Sequence, residues 1–201
     1  MNRAPTVLPA KAALRTAAMA ERDRLDAATR TSASQVIAQR ALAIVAAEAP
    51  GVMAAYLPIR SECDSRPIVV EALKRSIVVV LPVQLDRTTM VFRRYQPDGP
   101  LADGGFGTSV PLPDQPILDP DLVIVPLVGF DRTGTRLGYG RGYYDRALAK
   151  LAARGIKPKL LGVAFAAQEV AAIPVSPHDV RLDWIVTENE TLVVASQGSG
   201  R

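Results

Sequence analysis

The stretch RLGYGRGYYDR, Arg136 to Arg146, sets Gly138, Gly140 and Gly142 at every second position beside Arg136 and Arg141, then adds two tyrosines and an aspartate. Residues of these types are suited to holding anions. A glycine backbone approaches phosphate oxygens closely and takes up positive φ. The start of a helix offers unpaired N–H groups and a partial positive charge, and the two arginines can add charge-assisted bonds to the same oxygens. Asp145, one turn into a helix expected from Tyr143, is placed to hold Mg²⁺ against the phosphates. The competing reading is a structural loop whose glycines serve tight turns and whose Asp145 caps the helix or pairs with Arg146.

Other residues narrow the chemistry. G-x-G-x-G is neither the dinucleotide fingerprint G-x-G-x-x-G nor G-x-x-x-x-G-K-[ST], so a dinucleotide Rossmann site and a P-loop are both disfavoured. His178 is the only histidine and Cys63 the only cysteine. Zinc sites of several His and Cys ligands cannot be assembled from one of each, so any metal is expected to be a hard cation such as Mg²⁺. Nothing near Cys63 predicts a catalytic triad, and His178 reads as a loop or capping residue. Lys11 and Arg15 are spaced i, i+4 on one helix face, by default a solvated basic face.

The elements that must position these groups follow from hydrophobic periodicity. Residues 8–30 carry Leu14, Ala18, Arg22 and Leu25 at helical spacing, and Thr31-Ser32 reads as the N-cap of a second helix that Pro50-Gly51 ends. VMAAYLP (52–58), SIVVVLP (76–82) and DLVIVPLVGF (121–130) read as buried strands. Ser65 and Pro67 open a helix between the first two. TTMVFRRY (88–95) is a less buried strand whose Arg93 and Arg94 point to opposite faces. Residues 96–116 form a Gly/Pro/Asp-rich ordered excursion. A helix over 143–155 and strands at 159–165 and 182–188 complete the pattern. The alternation predicts an α/β fold, a three-layer sandwich with a largely parallel central sheet and helices on both faces. One domain over 1–201 is expected, with residues 1–7 and 195–201 frayed. The glycine stretch then lies where ligands bind such sheets, beyond the carboxyl end of a strand.

The chain of 201 residues is 48% hydrophobic and 22% charged, a composition that fits one soluble domain with a sizeable core. No apolar run reaches the roughly 18 residues of a membrane span, and no secretory signal is expected. A lone cysteine forms no internal disulfide and fits a cytoplasmic setting. The net charge of +4 suits a solvated surface, an anionic substrate or nucleic acid.

PLVGFDRTGTRLGYGRGYYDR (126–146) resembles the signature of the 5-formyltetrahydrofolate cyclo-ligase family, also called 5,10-methenyltetrahydrofolate synthetase. The resemblance extends to Lys11-Ala-Ala-Leu-Arg15, YLPIRSECDSRPIV (56–69), GGFG (104–107) and IPVSPHDVRLDWIVTE (173–188). It implies ATP- and Mg²⁺-dependent conversion of 5-formyltetrahydrofolate, polyglutamylated or not, to 5,10-methenyltetrahydrofolate, by a monomer that needs no nucleic acid or membrane. It implies ATP contacts from Lys11, Arg15, Arg136, Leu137, Gly138, Tyr139, Gly140, Arg141, Gly142, Tyr143 and Tyr144. Folate contacts are implied for Glu62, Tyr139, Gly140, Arg141, Gly142 and Tyr143, and Mg²⁺ contacts for Asp145 and Asp183. Arg136, Tyr139 and Arg141 are implied to act in the reaction. Many bacterial members carry glycine at position 141, and Val110 stands near a place where the family often has an acidic residue. Two other functions fit the loop: a nucleic-acid-binding module, which a 5% aromatic content and the lack of an RNA motif disfavour, and a sugar-phosphate isomerase-like enzyme that binds anion without consuming ATP.

Overall fold

Runs of β-branched and aliphatic residues build the centre of the molecule. The computed structural model describes residues 7–105, 107–177 and 179–194. The order is α1 (Val7–Arg24), α2 (Ala27–Glu48), β1 (Val52–Ala54), α3 (Arg66–Lys74), β2 (Val78–Gln84), β3 (Met90–Arg94), β4 (Leu101–Asp103), β5 (Ser109–Pro111), β6 (Leu122–Pro126), β7 (Gly129–Phe130), β8 (Arg136–Leu137), α4 (Tyr143–Ala153), β9 (Lys159–Val163), a 3₁₀ turn (Ala166–Gln168), β10 (Trp184–Val186) and β11 (Thr191–Val193). Of the termini expected to fray, residues 1–6 and 195–201 lie outside the described residues, and Val7 opens α1. His178 also lies outside them.

Seven strands form one sheet in the order β11-β10-β9-β6-β1-β2-β3. The inner strands run parallel, while β3 and β11 pair antiparallel at the edges. Side chains alternate between the sheet's two faces. Met53, Val79, Ile124 and Leu161 meet Ile37, Ala41 and Val45 of α2 and Ile68 and Ala72 of α3. Ala54, Val80, Val123, Val125 and Leu160 meet Ala147, Leu148 and Leu151 of α4 on the opposite side. The expected three-layer α/β sandwich is therefore what forms. Among the described residues, no helix is long and apolar enough to cross a membrane.

Helix α1 belongs to neither outer layer. Its Ala18 packs on Val128, Leu137 and Ile173, past the carboxyl end of β6. The close approach needs Gly129, where an added Cβ would lie 3.2 Å from that of Ala18. This places α1 across the sheet edge where ligands bind such folds.

Local details depart from the sequence reading in three places. Helix α2 starts at Asp26, whose carboxylate accepts from Thr29 N at 2.8 Å, while the hydroxyls of Thr31 and Ser32 bond back to carbonyls inside the helix. The aspartate caps better because its charged acceptor meets the helix's positive end. Ser65 precedes α3 and Pro67 sits in its first turn as expected, but the Ser65 hydroxyl donates to Tyr56 O and makes no cap. The stretch 121–130 is not one strand. Pro126 has no N–H to extend the ladder, and the Gln168 amide donates to Leu127 O and Val128 O, 2.9 Å each, so the chain leaves the sheet and turns into the β7–β8 hairpin. The excursion 96–116 carries the β4–β5 hairpin. Arg93 fastens its far end by donating to Pro113 O and Gln115 O, which engages Arg93 in structure and leaves Arg94 exposed.

Candidate active site

The β7–β8 hairpin delivers residues 136–142 to the start of α4, and the groups around this loop come from four separate parts of the chain. Leu137 is buried beneath α1 and its carbonyl accepts from Val128 N at 2.7 Å, so it anchors the loop. Arg136 is also buried. It donates to Asp145 Oδ1 at 2.6 Å and to the carbonyl of Val180. Asp145 thus pairs with Arg136, not with Arg146, and it also accepts from Val180 N at 3.3 Å.

The glycines differ in what the fold asks of them. Gly140 has φ +90°, and a Cβ there would lie 3.4 Å from Arg15 Cζ. Gly138 has no such φ, and a Cβ there would meet nothing within 4 Å. Its carbonyl accepts from Arg15 Nε at 2.8 Å. Gly142 is the N-cap of α4. Arg146 closes that end, donating to Thr88 O at 2.9 Å and lying 5.2 Å from the Tyr143 ring centroid. Gly140 and Arg141 stand on the exposed side of the loop. Tyr144 turns inward, its ring 6.5 Å from that of Phe92, and burial raises its pKa.

Helix α1 turns Lys11, Arg15 and Arg22 inward and leaves Arg24 exposed. Lys11 and Arg22 are buried, with Arg15 between them on the same face, so the solvated reading of this face does not hold. Lys11 Nζ donates to Asp179 and, at 3.2 Å, to Ser176 Oγ. Arg22 Nη1 donates to the Tyr139 hydroxyl at 3.1 Å, and Tyr139 donates to Glu62 Oε1 at 2.6 Å. Glu62 Oε2 accepts from Ile59 N at 2.9 Å. Burial raises the Glu62 pKa against the lowering effect of these bonds and of Arg22. Burial, with Glu62 beside it, pushes the Tyr139 phenol up to about 12. The bond from Tyr139 to Glu62 ties the glycine loop to the turn after β1.

The structure gathers Lys11, Arg15, Glu62, Arg136, Gly138, Tyr139, Gly140 and Asp145 around the loop, but it does not gather Asp183. Asp183 lies just before β10, where its Oδ2 accepts from Leu160 N at 2.8 Å and Lys159 Nζ is 3.6 Å from its Oδ1. It serves the amino ends of β9 and β10, away from the carboxyl edge. The carboxylate on the loop side is that of Asp179. It pairs with Lys11 and adjoins Val180, whose N–H meets Asp145. Sequence reasoning passed over Asp179 and the inward place of Arg22. For Asp179 the available signal was its place inside the resembling segment 173–188; for Arg22 it was the spacing 11, 15, 18, 22. Two carboxylates answered by Lys11 and Arg136 offer hard oxygen ligands, and Mg²⁺ commonly uses one or two carboxylates plus substrate phosphates. Among the described residues no cluster of three or more His, Cys, Asp or Glu could hold a metal unaided.

A mainly parallel sheet, with Lys11, Arg15 and Arg22 of one helix laid over its carboxyl edge and a glycine loop opening onto α4, defines an α/β protein whose polar site lies beyond the carboxyl ends of its parallel strands. The 5-formyltetrahydrofolate cyclo-ligase family model matches residues 7–188. A 5-formyltetrahydrofolate cyclo-ligase of Haemophilus influenzae is 30% identical over 167 residues, covering 80% of this chain and 88% of that protein. One from Mycolicibacterium smegmatis is 32% identical over 148 residues, covering 69% and 74%. The solved 5,10-methenyltetrahydrofolate synthetase of Aquifex aeolicus superposes with a TM-score of 0.79 at 28% identity, covering 95% of this chain and 96% of that one. That of Mycoplasma pneumoniae gives 0.71 at 26% identity, covering 89% and 98%. The chain belongs to the 5-formyltetrahydrofolate cyclo-ligase family and is an enzyme of the cyclo-ligase type.

Proposed function

We propose that the enzyme converts 5-formyltetrahydrofolate to 5,10-methenyltetrahydrofolate, consuming ATP with Mg²⁺ and releasing ADP and phosphate. The observation that carries the ATP side of this reading is Gly138. Neither its φ nor its packing needs a glycine: a Cβ there would project into open space, while its carbonyl is held by Arg15 Nε. A glycine that the fold does not require supports a ligand whose phosphates come against the backbone.

A formyl oxygen is a poor leaving group. In the proposed reaction it attacks the γ-phosphorus and ADP departs. N10 then bonds to the activated carbon and loses its proton, and phosphate leaves with the former formyl oxygen as the C–N double bond forms. Such transfer needs positioning and charge neutralisation more than a side-chain nucleophile. In this reading Lys11, Arg15, Arg136, Arg141 and the 138–142 amides hold the phosphates. Glu62 and Tyr139 face the folate, with Tyr143 at the edge of its pocket. Asp145 and Asp179, rather than Asp183, would hold Mg²⁺, which neutralises phosphate charge when bound. Lys11 and Arg136 answer the two carboxylates, so the cations the phosphates need are already next to the metal's oxygens.

The test is the appearance of methenyl-folate absorbance from 5-formyltetrahydrofolate with ATP and Mg²⁺. Product that requires both supports the reading, and no ATP-dependent product at high enzyme concentration ends it. Sedimentation at assay concentration checks the monomer that belongs to the same reading.

A further inference from the structure

Arg22 is one of the largest fully buried side chains, with 1% exposure, yet among the described residues no carboxylate lies within hydrogen-bond distance of its guanidinium. Asp23 Oδ1 is 3.7 Å away on a half-exposed side chain. A buried cation without a close partner costs stability that an apolar residue of similar size would not. Its bonds go instead to two hydroxyls, Ser61 at 3.0 Å and Tyr139 at 3.1 Å. A guanidinium has donors and no acceptor. The Tyr139 hydroxyl therefore accepts from Arg22 and has its one hydrogen left for Glu62. The order Arg22 to Tyr139 to Glu62 can run only in that direction.

We propose that Arg22 is a positioning residue for the folate side of the site, acting through the Tyr139 hydroxyl to pin the glycine loop to Glu62 and to keep Glu62 an acceptor. The inference rests on the cyclo-ligase reading above. The charged and titratable groups around Glu62 are Arg22 and Asp23 from α1, Tyr56, Arg60 and Cys63 from the chain after β1, and Tyr139 and Tyr144 from the loop and α4. Of these, Arg22 and Tyr139 form the donor chain that favours the ionised carboxylate, with Arg60 adding a charge. Breaking the chain raises the pH at which Glu62 ionises.

Arg22→Met, Tyr139→Phe and the double variant test this. The measurements are kcat/KM for 5-formyltetrahydrofolate against pH, and KM for ATP. Each single variant should lose about tenfold in kcat/KM, the scale of one hydrogen bond to a charged group. Each should move the acidic limb of the profile upward by about half a pH unit or more, with KM for ATP changed less than kcat/KM for the folate, since Arg15 still holds the Gly138 carbonyl. The double variant should be no worse than the poorer single, because both break one chain. Additive losses, or an unmoved acidic limb, overturn the proposal. Should Arg22→Met fail to fold, Tyr139→Phe decides alone: it keeps the bond to Ser61, and an unmoved limb overturns the idea. An inactive wild-type enzyme removes the cyclo-ligase reading and this inference with it, whereas an active wild type with additive losses removes this inference alone.

Discussion

Arg136 and Asp145, nine positions apart, meet at 2.6 Å across the glycine loop, and the arginine is buried. The pair spans the segment from β8 to the first turn of α4, and Val180 binds both partners, its carbonyl to Arg136 and its N–H to Asp145. One contact therefore fixes the loop's two ends and the strap leading to β10.

Asp145→Ala should abolish turnover and also destabilise the fold, because it leaves the Arg136 guanidinium buried without its partner. The loss should be about 3 kcal/mol in urea unfolding, the scale for breaking a buried pair from one side. Arg136→Met combined with Asp145→Leu should recover much of that stability and none of the activity. An Asp145→Ala variant with wild-type stability would show that Arg136 is answered elsewhere.

Gly138→Ala should leave the thermal midpoint within about 2 °C of wild type, since added bulk there meets nothing. It should raise KM for ATP about tenfold or more if phosphate comes against this backbone. Gly140→Ala should lose both stability, about 1–2 kcal/mol for a non-glycine residue at φ +90°, and ATP binding. Equal behaviour of the two variants in both measurements would contradict the distinction.

Glu62→Gln should be more stable than wild type at neutral pH and nearly inactive. Burial raises the folded-state pKa of Glu62 above its ordinary value of 4.5. Between 4.5 and the raised value the folded protein holds a proton that the unfolded chain has released, so stability falls as pH rises through that window. The gain from the substitution should vanish below about pH 4.5, where both states are protonated. Thermal midpoints at acidic and neutral pH check the sign.

Lys11→Met leaves Asp179 without its cation. The variant should raise KM for ATP about tenfold while kcat falls less, as expected when a binding contact is lost more than a reacting one. A fall in kcat alone, with unchanged KM, would remove Lys11 from the phosphate side.

Cys63 should resist alkylation in the native enzyme. Burial pushes its thiol up to about 12, and the thiolate is the reactive form. The rate of labelling by a thiol reagent at pH 8 should follow unfolding, accelerating with urea; fast labelling of the folded protein would contradict the burial.

The elements were legible because their signals are local. Val78–Val80, Val123–Val125 and the run around Leu160 are β-branched and aliphatic enough to predict buried strands, and Pro67 and the glycine loop mark where helices begin. Where the reading slipped, a partner far along the chain had decided the matter. The 121–130 strand breaks because Gln168 captures its carbonyls. Resemblance implied a metal contact for Asp183; the structure sets its carboxylate against Leu160 N at the amino end of β9, while Asp179, four positions earlier, meets Lys11 of α1.

From the order of its residues alone the protein was bound to form an alternating α/β sandwich with a glycine-rich loop after a core strand, since periodicity and glycine placement act over a few residues. Only the tertiary structure decided that α1 lies across the sheet's carboxyl edge with Lys11, Arg15 and Arg22 inward. That placement joins Lys11 to Asp179 over 168 positions, Arg22 to Tyr139 over 117, and leaves Tyr139 to reach Glu62 over 77. Burying the apolar faces selects which elements touch, and each side chain takes its partner from that choice.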